Sequence, residues 1–206
     1  AAAEPWLERA LVVAEAALGP EHPDVGHSLN DLAMLHSDKG EFAQAKTLYE
    51  RTLAIRERTL PPDHPDVAVA LGNLGTIYES LGEHDAAVAL YERALAIRER
   101  ALGPNHTTVA GTLTNLAGVL HARGEHARAL ELDERALAIA ERALGSDHPM
   151  VAQHLHNLAS GLQDAGQHER AKAYYARALP ILEATLGAEH PVVAATLSNL
   201  ALAQRE

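Results

Sequence analysis

Residues 18–25 read LGPEHPDV, and the phrase returns as LPPDHPDV (60–67), LGPNHTTV (102–109), LGSDHPMV (144–151) and LGAEHPVV (186–193). Its opening residues, Leu18, Leu60, Leu102, Leu144 and Leu186, fall at a constant interval of 42 residues. A fixed interval of this length is the mark of a stacked-repeat architecture. Each copy is one supersecondary unit that cannot bury its apolar face alone, and neighbouring copies close the core.

The segment between two phrases reads as two helices. In residues 65–82, Val67, Leu71, Leu74, Ile77, Tyr78 and Leu81 recur at helical spacing. Pro65 suits the first turn, where its missing N–H costs nothing, and Asp66 places negative charge at the N-terminus. Gly82 then predicts a left-handed stop. Residues 83–103 carry a second stripe of Ala87, Leu90, Tyr91, Ala94, Leu95, Ile97 and Leu102, closed by Gly103. The link at Gly82 is so short that the two helices must lie antiparallel.

The phrase is therefore the turn between one hairpin and the next. Leu60 or Leu102 anchors the outgoing helix, and the acid-His-Pro element starts the following one. His22, His64, His106, His148 and His190 are expected to cap or pack that helix start through imidazole hydrogen bonds. A metal ladder is the alternative. Successive histidines lie one repeat apart, about 10 Å for packed helices. A zinc site needs its ligands about 2 Å from one ion. The histidines are read as structural, and no metal or other cofactor is expected.

Composition agrees with close-packed helices. Of the 206 residues 47% are hydrophobic but only 3% aromatic, so the apolar mass is mainly Ala, Leu and Val. There is no cysteine, which excludes disulfides and thiolate metal sites and is compatible with a reducing, cytoplasmic location. The formal charge is −11, without a Lys/Arg-rich run. Nucleic acid and anionic membrane are not expected partners. No apolar stretch approaches the roughly 20 residues of a bilayer span. No phosphate-binding glycine loop, zincin motif or cysteine nucleophile is present, so no enzymatic activity is expected. His121 and His126, five residues apart across a predicted helix end, give only a weak metal signal.

The pattern resembles a tetratricopeptide repeat (TPR). The match rests on a small residue in the first helix (Ala33, Gly75, Ala117, Ala159, Ala201) and another twelve positions on (Ala45, Ala87, Ala129, Ala171). It also rests on glycines 40, 82, 124 and 166 and the Thr52, Ala94, Ala136 and Ala178 slot. The 42-residue unit with L-x-N-L-A, R-A-L-x-I-x-E and L-G-x-x-H-P is similar to the repeats of kinesin light chain and its bacterial relatives. The resemblance covers essentially the whole chain. It implies an all-α, right-handed solenoid of antiparallel helix hairpins with about ten helices. In this register there is a half repeat at 1–18, full repeats at 19–60, 61–102, 103–144 and 145–186, and a half repeat at 187–206. Glu4–Leu18 matches a second helix alone, and Pro191–Arg205 a first helix alone. Neither end reads as a polar cap, which predicts end-to-end self-association or a longer parent protein.

Two local departures carry expectations. Pro180 replaces Ala54, Ala96 and Ala138 in mid-helix and should kink it. Gly161 stands where Leu35, Ile77 and Val119 fill the core, so a gap or a shifted neighbour such as Leu162 should appear.

In proteins that the chain resembles, the first helices line a concave groove that holds an extended peptide. Carried over slot by slot, that groove presents His27, Asn30, Asp31, Met34 and Asp38, then Val69, Gly72, Asn73, Thr76 and Glu79. Gly111, Thr114, Asn115, Gly118 and His121 follow, then Gln153, His156, Asn157, Ser160 and Gln163, and finally Ser198 and Asn199. One slot recurs as Asn73, Asn115, Asn157 and Asn199, with Asp31 in the first copy. Asn is a poor interior helix residue, and its amide offers a donor and an acceptor, as a peptide backbone does. An extended ligand rises about 3.3 Å per residue, so one Asn per layer would grip roughly every third residue. The alternative is an Asn that bonds the neighbouring repeat. The glycines at 72, 111 and 118 either make room for a ligand or relieve crowding. Met34 and Val69 form either a small apolar pocket or part of the core.

The groove slots contain no Lys or Arg, which argues against a carboxylate clamp and against strongly acidic ligands. Arg58, Arg100 and Arg142 at the second-helix tails either flank the groove or serve as solvated helix ends. The expected function is a non-catalytic scaffold that binds a peptide or protein segment. The alternative is a spacer or self-assembling solenoid module of a larger protein.

Overall fold

In the computed structural model, which describes residues 3–203, the ten described helices follow one another without a described strand. They are α1 (Glu4–Leu18), α2 (Pro23–Asp38), α3 (Phe42–Thr59), α4 (Pro65–Ser80), α5 (His84–Leu102), α6 (Thr107–Ala122), α7 (His126–Leu144), α8 (Pro149–Asp164), α9 (His168–Leu186) and α10 (Pro191–Ala203). The expected first helix running to Arg205 extends beyond the described residues. The chain divides into two compact units, residues 1–103 and 104–206.

Both turns of the repeat follow from particular residues. At the hairpin, Gly40, Gly82, Gly124 and Gly166 take φ of 71–78°. In the first of them the Glu41 N–H reaches back to the His36 carbonyl at 2.9 Å, and the Gly40 N–H to the Ser37 carbonyl at 2.9 Å. Those two bonds satisfy two of the last free carbonyls of the helix and reverse the chain in a single step. At the turn between hairpins, the expected caps form. His22, His64, His106, His148 and His190 each sit at the N-cap, and Nδ1 accepts the backbone N–H two residues on. The distances are 3.2, 3.2, 3.2, 3.1 and 3.2 Å. A cap of this kind requires an unprotonated Nδ1, so the neutral ring carries its hydrogen on Nε2.

In the first unit, α2 packs on α3 and α4 on α5, with α1·α2 and α3·α4 joining them. Val67, Leu71, Leu74 and Ile77 of α4 meet Tyr49, Leu53, Ala94 and Ile97 in one buried cluster. The small-residue slots have a steric reason. A Cβ on Gly75 would stand 2.9 Å from Tyr91 Cε1. In the second unit α6·α7, α7·α8, α8·α9 and α9·α10 pack in turn. Its largest cluster gathers Leu155, Leu158 and Leu162 of α8 with Tyr175, Ala178 and Leu182 of α9.

Charged residues tie successive second helices. Arg51 pairs with Glu15 at 2.5 Å, and Arg93 with Glu57 at 2.5 Å. Arg177 repeats the contact with Glu141 at the same separation in sequence. Arg58 and Arg100 pair with Glu21 and Asp63, the acids of the turn phrase. These tails are therefore engaged at the inter-hairpin turns.

The two departures resolve differently. Helix α9 runs unbroken through Pro180, which lies on its exposed side with Ala176, whose carbonyl loses its usual amide partner there. At Gly161 the space is taken by a side chain from another helix. A Cβ there would fall 2.4 Å from Nε2 of His121. The intruder is His121 of α6 rather than Leu162, which is itself fully buried in the core.

Candidate functional site

The first helices carry the candidate face: α2 and α4 in one unit, and α6, α8 and α10 in the other. In the first unit Asp31, Met34 and Thr76 are exposed, and Asn30 and Asn73 are half-buried. Met34 is 53% exposed and Val69 40%, so neither is core. Asn73 Nδ2 donates to Asn30 Oδ1 of the preceding first helix at 3.1 Å. Thr76 Oγ1 lies 3.0 Å from Tyr91 Oη, and that hydroxyl donates to Glu79 at 3.1 Å. Burial pushes the Tyr91 phenol far above its ordinary value, although Thr76 acts the other way. Its proton therefore stays on, and the ring acts as a fixed strut under the face.

In the second unit Asn115 is exposed. Asn157 accepts from Gln153 Nε2 at 2.8 Å within its own helix, and Asn199 Nδ2 donates to Tyr175 Oη at 3.2 Å. Neighbouring first helices are joined by a polar seam. Thr114 Oγ1 lies 3.1 Å from His154 Nδ1, and His156 Nδ1 lies 3.1 Å from Thr196 Oγ1. Thr196 already donates to the Val192 carbonyl at 2.8 Å, so its oxygen accepts from the imidazole. Burial holds both histidines below the ordinary imidazole range; Asp133 partly opposes this at His154. His156 also meets the Tyr175 ring edge-on, with centroids 5.4 Å apart.

The recurring amides therefore differ in their engagement. Asn73 bonds across helices, Asn157 within its helix, Asn199 to a tyrosine, and Asn115 lies open. Crowding is not what selects the glycine at position 111, because nothing lies within 4 Å of a Cβ built there. At Gly72 the nearest atom is Arg98 Nη2 at 3.5 Å, an ordinary contact.

A hollow of about 310 Å³ opens on the second unit, lined by Thr114, Gly118, His121, Asp133, Asn157, Ser160, Gly161 and Asp164. Asp133 is its buried ionisable member, with a side chain 5% exposed. Its carboxylate accepts from His121 Nε2 at 3.1 Å. His121 Nδ1 in turn lies 3.2 Å from His126 Nδ1, so one of these nitrogens carries a proton and the other accepts it. Asp133 and Asp164 were not among the residues that the sequence singled out. Aligning the second helices would have exposed Asp133, since positions 49, 91 and 175 are tyrosine. Asp164 stands at a helix end and gives no such signal.

Among the described residues one group has metal-ligand spacing: Glu4, His36 and Glu41. The Lys39 ammonium already stands there, 2.5 Å from Glu4 and 4.0 Å from Glu41, and His36 Nδ1 lies 2.5 Å from Glu41. The acids are thus served by a resident cation and an imidazole. At the N-terminal end, Trp6, Arg9, Ala10, Val13, Ala14, Ala17 and Leu18 of α1 line a second, apolar hollow of about 550 Å³. No described helix is long and apolar enough to cross a membrane.

Comparison with known proteins assigns the class. The tetratricopeptide repeat family model matches at residues 1–58, 38–100, 66–114, 108–184 and 151–206, and the chain belongs to that family. It is similar to the nearly identical TPR-like repeats of a Podosopora anserina protein assigned as kinesin light chain. Identity there is 31%, over 89% of this chain and 87% of that one, with a TM-score of 0.78. BtubC (BKLC) from P. vanneervenii is 25% identical over 97% of this chain and 79% of its own, with a TM-score of 0.80. The apo form of RapI shares the fold at 16% identity and a TM-score of 0.77; the match covers 96% of this chain and 53% of RapI. No curated protein matches the chain. The chain is thus a kinesin light chain-like TPR protein, a class of protein-interaction scaffolds.

Proposed function

We propose that the chain is a non-catalytic scaffold that binds an extended peptide or partner segment along its first-helix face. Asn30, Asp31, Met34, Asn73 and Thr76 contribute from one unit. Thr114, Asn115, His121, His156, Asn157, Ser160 and Asn199 contribute from the other. The observation that carries this reading is the chemistry of that face. It combines exposed or half-buried amides, hydroxyls and an exposed apolar side chain with glycines at 72 and 111 that no steric contact requires. Asn115 is open, and each partly engaged amide retains capacity for a peptide group. Members of the family and its kinesin light chain-like neighbours are typically non-catalytic, which favours a binding role over an enzymatic one.

The test is selection of peptides from a random display library, run beside an Asn73→Ala, Asn115→Ala, Asn157→Ala variant of verified helicity. A peptide motif enriched on the native chain and lost on the variant supports the reading. Equal enrichment on both, or none on either, refutes it.

A second reading is favoured by the α1 surface, where Trp6 is 69% and Val13 58% exposed. In it, stacking ends join copies of the solenoid. Sedimentation velocity that shows a mass rising with concentration, and a Trp6→Glu variant that abolishes the rise, would favour assembly over peptide binding.

A further inference from the structure

Position 133 breaks a rule that the rest of the chain keeps. At the 42-residue interval Tyr49, Tyr91 and Tyr175 occupy this place, each nearly buried, and Asp133 replaces them. Its surroundings change with it. Tyr91 meets the Thr76 hydroxyl and donates to the Glu79 carboxylate. The places of Thr76 and Glu79 are held by Gly118 and His121 around Asp133. The acceptor has moved to the second helix and the donor to the first. The ring and the hydroxyl are both gone, and the hollow of about 310 Å³ lies between these elements.

A buried carboxylate is costly unless a cation or several hydrogen bonds compensate it. None of the residues that line the hollow is Lys or Arg. The hydrogen bond to Asp133 comes from a histidine whose other nitrogen is satisfied by His126. His121 is thus the hydrogen-bond partner of Asp133, and no permanent cation stands in the lining to face its carboxylate. Asp164 adds a second negative charge at the exposed rim.

We propose that this hollow is the specificity pocket for a basic side chain of the bound peptide, best met by an arginine. This rests on the peptide-binding reading above. The guanidinium offers five donors in a planar fork, and the lining offers two carboxylates to meet them, the buried Asp133 and the exposed Asp164, beside the Ser160 and Asn157 side chains, which already bond Tyr175 and Gln153. The side chain takes the room that tyrosine fills elsewhere and supplies the permanent cation that the lining lacks.

The test titrates the isotope-labelled chain with N-acetyl-L-arginine methylamide and, separately, with the neutral isostere N-acetyl-L-citrulline methylamide. Backbone amide shifts at Gly118, Asn157, Ser160 and Gly161 are followed by NMR. The arginine probe is expected to give saturable shifts there, with citrulline weaker by at least about tenfold. Asp133→Asn should abolish the difference. Asp133→Tyr, which restores the residue of the other copies, should abolish binding of both. Equal response to the two probes, or an unchanged response in a folded Asp133→Asn chain, overturns the proposal. If both variants fail to fold, the arginine–citrulline comparison on the native chain still decides. Peptides enriched on the native chain, lost on the asparagine variant and devoid of basic residues would overturn the pocket while leaving the groove intact. An arginine response without peptide enrichment would do the reverse.

Discussion

Replacing Gly161 by alanine probes the geometry of the hollow from behind. Glycine costs a helix interior about 1 kcal/mol relative to alanine. Without a steric obstacle, Gly161→Ala would therefore stabilise α8 by that amount. The added Cβ, however, would stand 2.4 Å from His121 Nε2 and 2.5 Å from Cε1. The ring must withdraw, and that nitrogen is the donor to Asp133. Overpacking costs about 1–3 kcal/mol, and leaving a buried acceptor unmet costs a similar amount. The net expectation is a destabilisation of about 1–5 kcal/mol once the helix gain is subtracted. Urea unfolding followed by circular dichroism measures it. The control is Gly111→Ala, on the same kind of helix with nothing within 4 Å, which should stabilise by about 1 kcal/mol. The decisive step is the double-mutant cycle. In a His121→Ala background, Gly161→Ala should change sign and stabilise. If it stabilises the native chain as much as it does that background, His121 does not occupy this space, and the account of the hollow is wrong.

Three other expectations follow from the same structure. His148→Ala and His64→Ala should each cost about 1 kcal/mol in thermal or urea unfolding, as loss of an N-cap does, while His→Asn at either place should cost much less. Pro180→Ala should restore the amide to the Ala176 carbonyl and stabilise by up to about 3 kcal/mol; no gain would mean that solvent already satisfies the carbonyl. Stability should also fall with acid. His154 and His156 titrate below the ordinary imidazole value of about 6.5 because they are buried. Between the folded and unfolded values the unfolded chain holds more protons, so stability rises with pH there. It should be nearly level above that range and drop as pH falls through about 6.5 toward the folded values. A double His154→Thr, His156→Ser chain, matching residues of the neighbouring copies, should flatten the drop; an equal drop in that chain would place the acid sensitivity elsewhere.

The repeat made most of the fold legible. A phrase that recurs every 42 residues carries its own helix stop, cap and start, and those are local effects that neighbouring residues decide. The five histidine caps and the four hairpin glycines fall where the pattern puts them because N-caps and left-handed stops involve contacts only a few residues apart. The polar face was legible only as a set of slots. Register says which residues share a face, but not that Asn73 turns to Asn30 while Asn115 stays open.

The sequence by itself determined the helices, their ends and their pairing, since periodicity and turn chemistry are written along the chain. Only the tertiary structure decided what fills a slot that departs from the repeat. Gly161 is filled by a ring from α6, and Asp133, bonded to that same ring, lines a hollow where the other copies hold a tyrosine. Both outcomes depend on side chains from helices distant in sequence meeting in one place, and no local pattern encodes that meeting.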